Sequence, residues 1–110
     1  MLLLCRFAVP APDAPAFLAR ARRALELLTA ADGAQDGRLG RSVDDPERWV
    51  LEVRFASVHA YRRALSLSPF PVREHVVPLL SEALADEPST YETLVESSAG
   101  TSEEHPSLLA

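Results

Sequence analysis

The clearest periodic pattern in the chain is an alternation of apolar and polar residues between positions 48 and 55. Every second residue of this segment is apolar: Trp49, Leu51, Val53 and Phe55. Glu52 and Arg54 stand between them. Because side chains of a β-strand point alternately to its two faces, the segment is predicted as a strand with one face for a hydrophobic core.

A second pattern has the period of a helix. From Ala14 onward, apolar residues recur at steps of three and four: Phe17, Leu18, Ala21, Ala24, Leu25 and Leu28. Asp13 is a residue type that caps helix starts, and Gly33 favours the left-handed conformation that ends a helix. The spacing predicts an amphipathic helix that lies over the core.

Shorter patterns predict two further strands in the first half of the chain. Leu2 to Val9 is apolar and is followed by prolines, which is typical of a buried strand. Asp36 to Val43 reads as a strand weakened by two glycines, and the turn at 44–46 joins it to the strand at 48–55 as a hairpin.

The second half of the chain is predicted to hold two helical stretches and one strand. Ser57 is a cap for a helix through Leu67, and a second helical stretch follows the break at 68–71. Pro78 is expected to interrupt that stretch. Residues 89–96 alternate well enough to form a fourth strand.

The resulting order, β-α-β-β-α-β, predicts an α+β fold of the ferredoxin-like class, with a four-stranded antiparallel sheet and helices on one face. Residues 1–96 form this single domain, and the polar residues 97–110 are predicted to be a disordered tail. The other face of the sheet is left bare, and Glu52 and Arg54 are expected to pair or be hydrated there. A second copy laid face to face would cover it, so a homodimer is expected.

Composition excludes several functions. The net charge is −5, and the arginines do not form the concentrated basic face that nucleic-acid binding needs. Lysine is absent, which removes Schiff-base chemistry. No run reaches the length of a membrane span. The only cysteine, Cys5, cannot form an internal disulfide and is expected to be a small buried residue, so a cytoplasmic protein is predicted.

The stretch from Trp49 to Tyr61, WVLEVRFASVHAY, resembles the antibiotic biosynthesis monooxygenase family of dimeric α+β barrels, and the likeness continues into VPLLSE at residues 77–82. Members of that family oxidise aromatic polyketides or quinone-forming phenols without metal or flavin. The resemblance implies a hydrophobic pocket between the helices and the sheet. Its walls, and the substrate-binding residues, would be Trp49, Leu51, Val53 and Phe55.

The same resemblance assigns polar positions of the pocket. The family's pocket asparagine falls on Leu51, its tryptophan at the strand end falls on Phe55, and an arginine falls near His75. Its tyrosine is retained as Tyr61. Relatives that degrade haem also use an asparagine, and this chain contains none.

Two functions from different classes therefore remain open. The first is a homodimeric, cofactor-independent monooxygenase that acts on a small aromatic molecule, with Tyr61 and His75 as candidate catalytic residues. The second is a non-catalytic dimer that binds a small hydrophobic ligand or assists a biosynthetic enzyme. Tyr61 as a residue at the core edge and His75 as a packing residue fit the second function. Convergence of Tyr61 and His75 on one enclosed cavity would favour chemistry.

Overall fold

Strand β3 (Arg48–Phe55) lies inside the sheet in the computed structural model of the chain, which describes residues 1–66 and 70–109. It pairs antiparallel with β1 (Leu2–Ala8) on one side and with β2 (Ala34–Arg41) on the other. Strand β4 (Thr90–Tyr91) pairs antiparallel with β1. The order β2-β3-β1-β4 confirms the predicted four-stranded antiparallel sheet.

The described residues form four α-helices: α1 (Ala14–Thr29), α2 (Val58–Ser66), α3 (Phe70–His75) and α4 (Val77–Ser81). The predicted cap of α2 is confirmed, because Ser57 Oγ accepts a hydrogen bond from the Ala60 N–H at 3.0 Å. The predicted interruption near Pro78 is also present, between α3 and α4. The predicted helix end at Leu67 and the break at 68–69 lie outside the described residues. No described helix has the length and apolar character needed to cross a bilayer.

One hydrophobic core joins the helices to the sheet. Its sheet side consists of alternate residues of two strands, which are all buried: Leu3, Cys5, Phe7, Trp49, Leu51, Val53 and Phe55. Phe17, Ala21, Ala24 and Leu28 of α1 pack against them. The predicted helix face is therefore confirmed except at Leu18, which is 48% exposed. Burial of apolar side chains on this scale is the main source of stability for a small domain.

The other face of the sheet is charged and open. Arg54 lies beside Asp36 in the strand register and donates two hydrogen bonds to its carboxylate, at 2.8 and 2.6 Å. The bonded Arg54 lowers the pKa of Asp36, and Asp36 raises the pKa of Arg54. Arg38 contacts Glu52 at 2.7 Å. Glu52 and Arg54 are thus both paired on this face, as predicted. The partner of each is a residue of β2, Arg38 for Glu52 and Asp36 for Arg54.

The fourth strand is shorter than predicted. Residues 84–91 run along the free edge of β1, where the Leu84 and Leu4 N–H groups donate to Arg6 O and Ser89 O. Only Thr90 and Tyr91 form a ladder, opposite Leu3 and Leu2. The alternating residues 89–96, predicted as one strand, therefore belong to two elements. The chain leaves the sheet after Tyr91, and a new strand begins at Val95.

The predicted disorder of residues 97–110 differs from the structure. Strands β5 (Val95–Ser98) and β6 (Thr101–Glu104) form an antiparallel hairpin. Its turn residues Ala99 and Gly100 both have positive φ, 53° and 81°, which suits a tight two-residue hairpin turn. Every residue of β6 is exposed. The hairpin therefore has no apolar face from which the sequence pattern could have predicted it.

Gly37 of β2 permits the close contact between the sheet and α1. A Cβ atom at this position would lie 2.8 Å from Leu25 Cδ1, 2.9 Å from the Glu52 carbonyl oxygen and 3.1 Å from Val53 Cγ2. At Gly40 of the same strand, the nearest atom would be Val50 Cγ1 at 3.4 Å. Gly37 and Gly40 therefore allow a crowded glycine to be compared with an uncrowded one in the same strand.

We expect Gly37→Ala to lower the free energy of unfolding by about 1–3 kcal/mol through overpacking. Gly40→Ala should change it by less than about 1 kcal/mol, because only ordinary van der Waals contact results. Urea denaturation followed by circular dichroism measures both values. Equal effects of the two substitutions would show that the contact at Gly37 does not limit the packing of α1.

Candidate functional site

Tyr61 projects from α2 onto the end of β3. Its ring meets the Phe55 ring edge-on, with centroids 5.4 Å apart and an interplanar angle of 66°. The side chain is half-buried, and burial raises the pKa of the hydroxyl, with a smaller contribution from Cys5. Within the described chain the hydroxyl has no hydrogen-bond partner. The Tyr61 hydroxyl is therefore protonated at neutral pH.

The four residues predicted as pocket walls all point to the core side of β3. Leu51 and Val53 are fully buried, and Phe55 and Trp49 nearly so. Trp49 packs edge-on against Phe17 at 5.5 Å and carries the Arg41 guanidinium over its ring at 5.3 Å. Phe55 is the wall residue that also contacts Tyr61.

His75 lies at the end of α3 and is 44% exposed. Among the described residues, Glu74 is a charged neighbour, with its Oε2 3.9 Å from His75 Nε2. No hydrogen bond, ion pair or ring contact between described side chains joins His75 to Tyr61. The structure therefore does not bring the two predicted catalytic residues together through direct contact.

Cys5 is a buried residue of β1, as predicted. Burial raises the pKa of its thiol to about 11, so the thiol is protonated at neutral pH. A protonated, buried thiol is a poor nucleophile. Cys5 therefore contributes packing beside Tyr61.

A cavity of about 240 Å³ lies at the end of the sheet, beside Phe55. Part of its wall is apolar, formed by Met1, Phe55, Val58 and Leu108. The remainder includes polar groups from the C-terminal segment: Glu92, Glu96 and His105. A concave site that combines an apolar wall with a few polar groups is typical of small-molecule binding.

The C-terminal segment forms one side of this cavity and is held there by specific hydrogen bonds. Ser107 Oγ and the Leu108 N–H donate to the two carboxylate oxygens of Glu92, at 2.6 and 2.9 Å. These bonds lower the pKa of Glu92, which is therefore ionised at neutral pH. The His105 N–H donates to Leu94 O at 2.9 Å and continues the hairpin. Residues 105–108 are thereby held against the end of the sheet.

Within the cavity, His105 and Glu96 form a hydrogen-bonded pair, with His105 Nε2 2.8 Å from Glu96 Oε2. The other Glu96 oxygen accepts a hydrogen bond from Arg54 Nη1 at 3.1 Å. The sequence pattern does not predict this pair, because His105 lies among the polar residues 97–110 that are typical of a disordered tail. Only the hairpin register, which sets Glu96 opposite Glu103, reveals that the residues are neighbours.

Glu96, Glu103 and His105 also place one possible ligand atom each within 4.8 Å of one another. Carboxylate and imidazole groups are common metal ligands. Arg54 already binds Glu96, however, and a cation would compete with it. The pair offers a carboxylate and an imidazole as hydrogen-bonding groups at this wall of the cavity.

Comparison with known proteins identifies related folds. The family model described as antibiotic biosynthesis monooxygenase matches residues 1–70. A conserved protein from Methanosarcina mazei Go1 is 17% identical with a TM-score of 0.63, over 78% of this chain and 82% of that one. A mutant of SnoaB, a cofactor-independent oxygenase from Streptomyces nogalater, is 22% identical with a TM-score of 0.62, over 76% of this chain and 82% of that one. No curated protein matches the chain.

The solved structures support the fold alone. Their sequence identities are too low to carry a function over to this chain. The family model rests on the sequence itself. It spans the first three strands, α1, α2 and Tyr61, and so covers more than half of the chain. This chain belongs to the antibiotic biosynthesis monooxygenase family.

Proposed function

We propose that the protein is a homodimeric, cofactor-independent monooxygenase that acts on a small aromatic polyketide or quinone-forming phenol. The Tyr61 hydroxyl is the observation that carries this proposal. It is half-buried, protonated and without a partner in the described chain, and its ring lies against Phe55. Such a donor binds a phenolate or carbonyl oxygen more strongly in a dry site than in water.

The reaction needs a substrate that can lose a proton and then pass electrons to dioxygen. At a methylene carbon between aromatic rings, one oxygen atom of dioxygen becomes a carbonyl group, and the other leaves as water with the two methylene hydrogens. Tyr61 would stabilise the negative charge that develops on the neighbouring ring oxygen. SnoaB, which is similar in structure to this chain, is a cofactor-independent oxygenase, and this supports the same class of reaction here.

A non-catalytic dimer that binds a hydrophobic ligand is the second candidate. It is favoured by the apolar residues Leu51 and Phe55 at positions where the family carries polar or indole groups. The exposed position of His75, which has no direct contact with Tyr61, also favours it. Both candidates place an aromatic or hydrophobic molecule near Phe55, so turnover is what separates them.

The homodimer would use the open face of the sheet. Its charged residues are paired within the chain, as in Arg54 with Asp36 and Arg38 with Glu52, which lowers the cost of covering them. Leu2, Leu4 and Val50 lie on the same face and are only partly exposed. A second copy would remove these apolar groups from water.

Replacing Tyr61 with Phe tests the catalytic proposal. Oxygen uptake with naphthol and anthrone-type phenols, in buffer free of metal and flavin, should fall about tenfold to a hundredfold because a hydrogen bond to a charged oxygen is lost. Tyr91→Phe is the matched control. Tyr91 is the other tyrosine of the chain, and its hydroxyl bonds to Pro88 O, so uptake should stay at the wild-type rate.

Absence of uptake by the wild-type protein across the whole panel would favour the binding dimer. Equal rates for wild type and Tyr61→Phe would exclude Tyr61 as the donor.

A charge placed on the open face tests the dimer. In Leu4→Arg the new guanidinium stands opposite Glu52 in the strand register, so the monomer tolerates it, but a face-to-face dimer would have to bury it. Light scattering coupled to size exclusion should give twice the chain mass for wild type and the single chain mass for the variant. The control is Leu18→Arg, at a residue of α1 that is 48% exposed and on the opposite side of the domain.

If the wild-type protein is a monomer, or if Leu4→Arg remains dimeric at the same concentration, the sheet face is not the interface.

A further inference from the structure

We propose that Glu96, Glu103 and His105 bind one Zn²⁺ ion, which clamps the two strands of the β5–β6 hairpin together. Carboxylate oxygen and imidazole nitrogen are both ligands of Zn²⁺, and a site with three protein ligands keeps water in the fourth position of a tetrahedron. The site does not depend on the proposed reaction, because Zn²⁺ has no redox chemistry.

The register of the hairpin puts the three side chains on one face. Glu96 of β5 lies directly opposite Glu103 of β6. The N–H of His105 donates to Leu94 O, so His105 continues the pairing two residues beyond Glu103. Residues two apart on a strand share a face, and diagonal neighbours on two strands are within reach of long side chains. The three possible ligands are therefore set by backbone pairing, not by a chance meeting of flexible loops.

The distances between the possible ligand atoms are close to those of a zinc site. Ligands bonded to a tetrahedral Zn²⁺ at about 2.1 Å lie roughly 3.4 Å from one another. His105 Nε2 and Glu96 Oε2 are 2.8 Å apart, and the three ligand atoms all lie within 4.8 Å of one another. Glu103 is exposed, so its side chain can rotate to close the remaining gap.

Arg54 leaves one oxygen of Glu96 for the ion. Its Nη1 donates to Oε1 at 3.1 Å, whereas the oxygen beside His105 is Oε2. The main partner of Arg54 is Asp36, which accepts two shorter hydrogen bonds from it, at 2.8 and 2.6 Å. Competition between Arg54 and the ion is thus confined to one carboxylate oxygen. A ligating carboxylate whose other oxygen is hydrogen-bonded is the usual arrangement around bound metals.

The hairpin lacks another source of stability that would act between its strands. Val95 is the only apolar residue of β5 and β6, and it is 58% exposed. Two strands without an apolar face are marginal in water, and like charges directly opposite each other destabilise the pairing. Glu103 has no hydrogen bond or ion pair within the described residues. A divalent cation would turn the repulsion between Glu96 and Glu103 into a bond across the strands.

An ion can reach the three side chains from solvent. Glu96 and His105 line the cavity of about 240 Å³ at the end of the sheet. Glu96 also lines a second cavity, of about 370 Å³, together with Glu103. The imidazole selects Zn²⁺ over Ca²⁺ and Mg²⁺, since these two prefer oxygen ligands alone.

The first test is a calorimetric titration of the full chain with Zn²⁺, after treatment with a chelator and dialysis. We expect one ion per chain. Glu103→Gln should bind Zn²⁺ at least tenfold more weakly, because the loss of a mere outer partner of a ligand already costs about that much. Glu104→Gln is the matched control. It removes the same charge from the other face of β6, opposite Val95, and should bind as wild type.

The thermal unfolding of these proteins separates loss of the site from loss of the fold. Without Zn²⁺, Glu103→Gln should unfold at the wild-type temperature or above it, because a repulsive cross-strand pair is removed. Added Zn²⁺ should raise the unfolding temperature of wild type and of Glu104→Gln, since an ion that binds the folded state stabilises it. The unfolding temperature of Glu103→Gln should rise much less.

A second measurement uses the wild-type protein and reports on the imidazole ligand. The chain has three histidines, so spectra of His59→Gln and His75→Gln assign the His105 ring resonances by elimination. Zn²⁺ should shift the resonances of His105 and leave those of His59 and His75 in place. Ca²⁺ at the same concentration should shift none of them.

Absence of Zn²⁺ binding by wild type would overturn the proposal. Unchanged affinity in Glu103→Gln, an equal loss in Glu104→Gln, unshifted His105 resonances or equally tight binding of Ca²⁺ would also overturn it, and would show that any bound Zn²⁺ is adventitious. None of these measurements uses oxygen uptake, so failure of the zinc site leaves the proposed oxygenase intact, and failure of the oxygenase leaves the zinc site intact.

Discussion

The two faces of strand β3 are the constraint on which the rest of the structure depends. One face supplies Leu51, Val53 and Phe55 to a dry core, and the other supplies Glu52 and Arg54 to ion pairs with β2. A shift of register by one residue would bury the charges and expose the core, so the pattern fixes the pairing with both neighbours. The same division separates the surface proposed for the dimer from the side that carries Tyr61.

The sequence pattern was sufficient wherever an element has an apolar face. It predicted β1, α1, β3 and the cap of α2 at Ser57, because each of these buries residues at a regular period. The resemblance at residues 49–61 predicted the family, which the family model confirms. The predicted length of the fourth strand was wrong. Apolar and polar residues continue to alternate past Tyr91, but the pairing with β1 ends there.

The candidate site could be predicted only in part. Tyr61 was identified from the resemblance, and the structure places it against Phe55. The hairpin of β5 and β6 was not predicted, because its exposed serines, threonines and glutamates have the composition of a disordered tail. Backbone pairing and the turn at Ala99 and Gly100 build it, and neither leaves a hydrophobic period. The contact of Glu96 with His105 follows from that hairpin and could not be read from spacing alone.

The resemblance places Leu51 and Phe55 at positions where the family carries a polar and an indole side chain, so turnover is the property to measure. We propose that this chain inserts an oxygen atom from dioxygen into an aromatic substrate without a cofactor. Mass spectrometry after incubation with an anthrone under oxygen-18 gas, using protein freed of metal and flavin, tests it most directly. We expect a quinone that carries one heavy oxygen atom and forms much faster with the protein present than in protein-free buffer. Unlabelled product, or labelling that requires added metal or flavin, would contradict it.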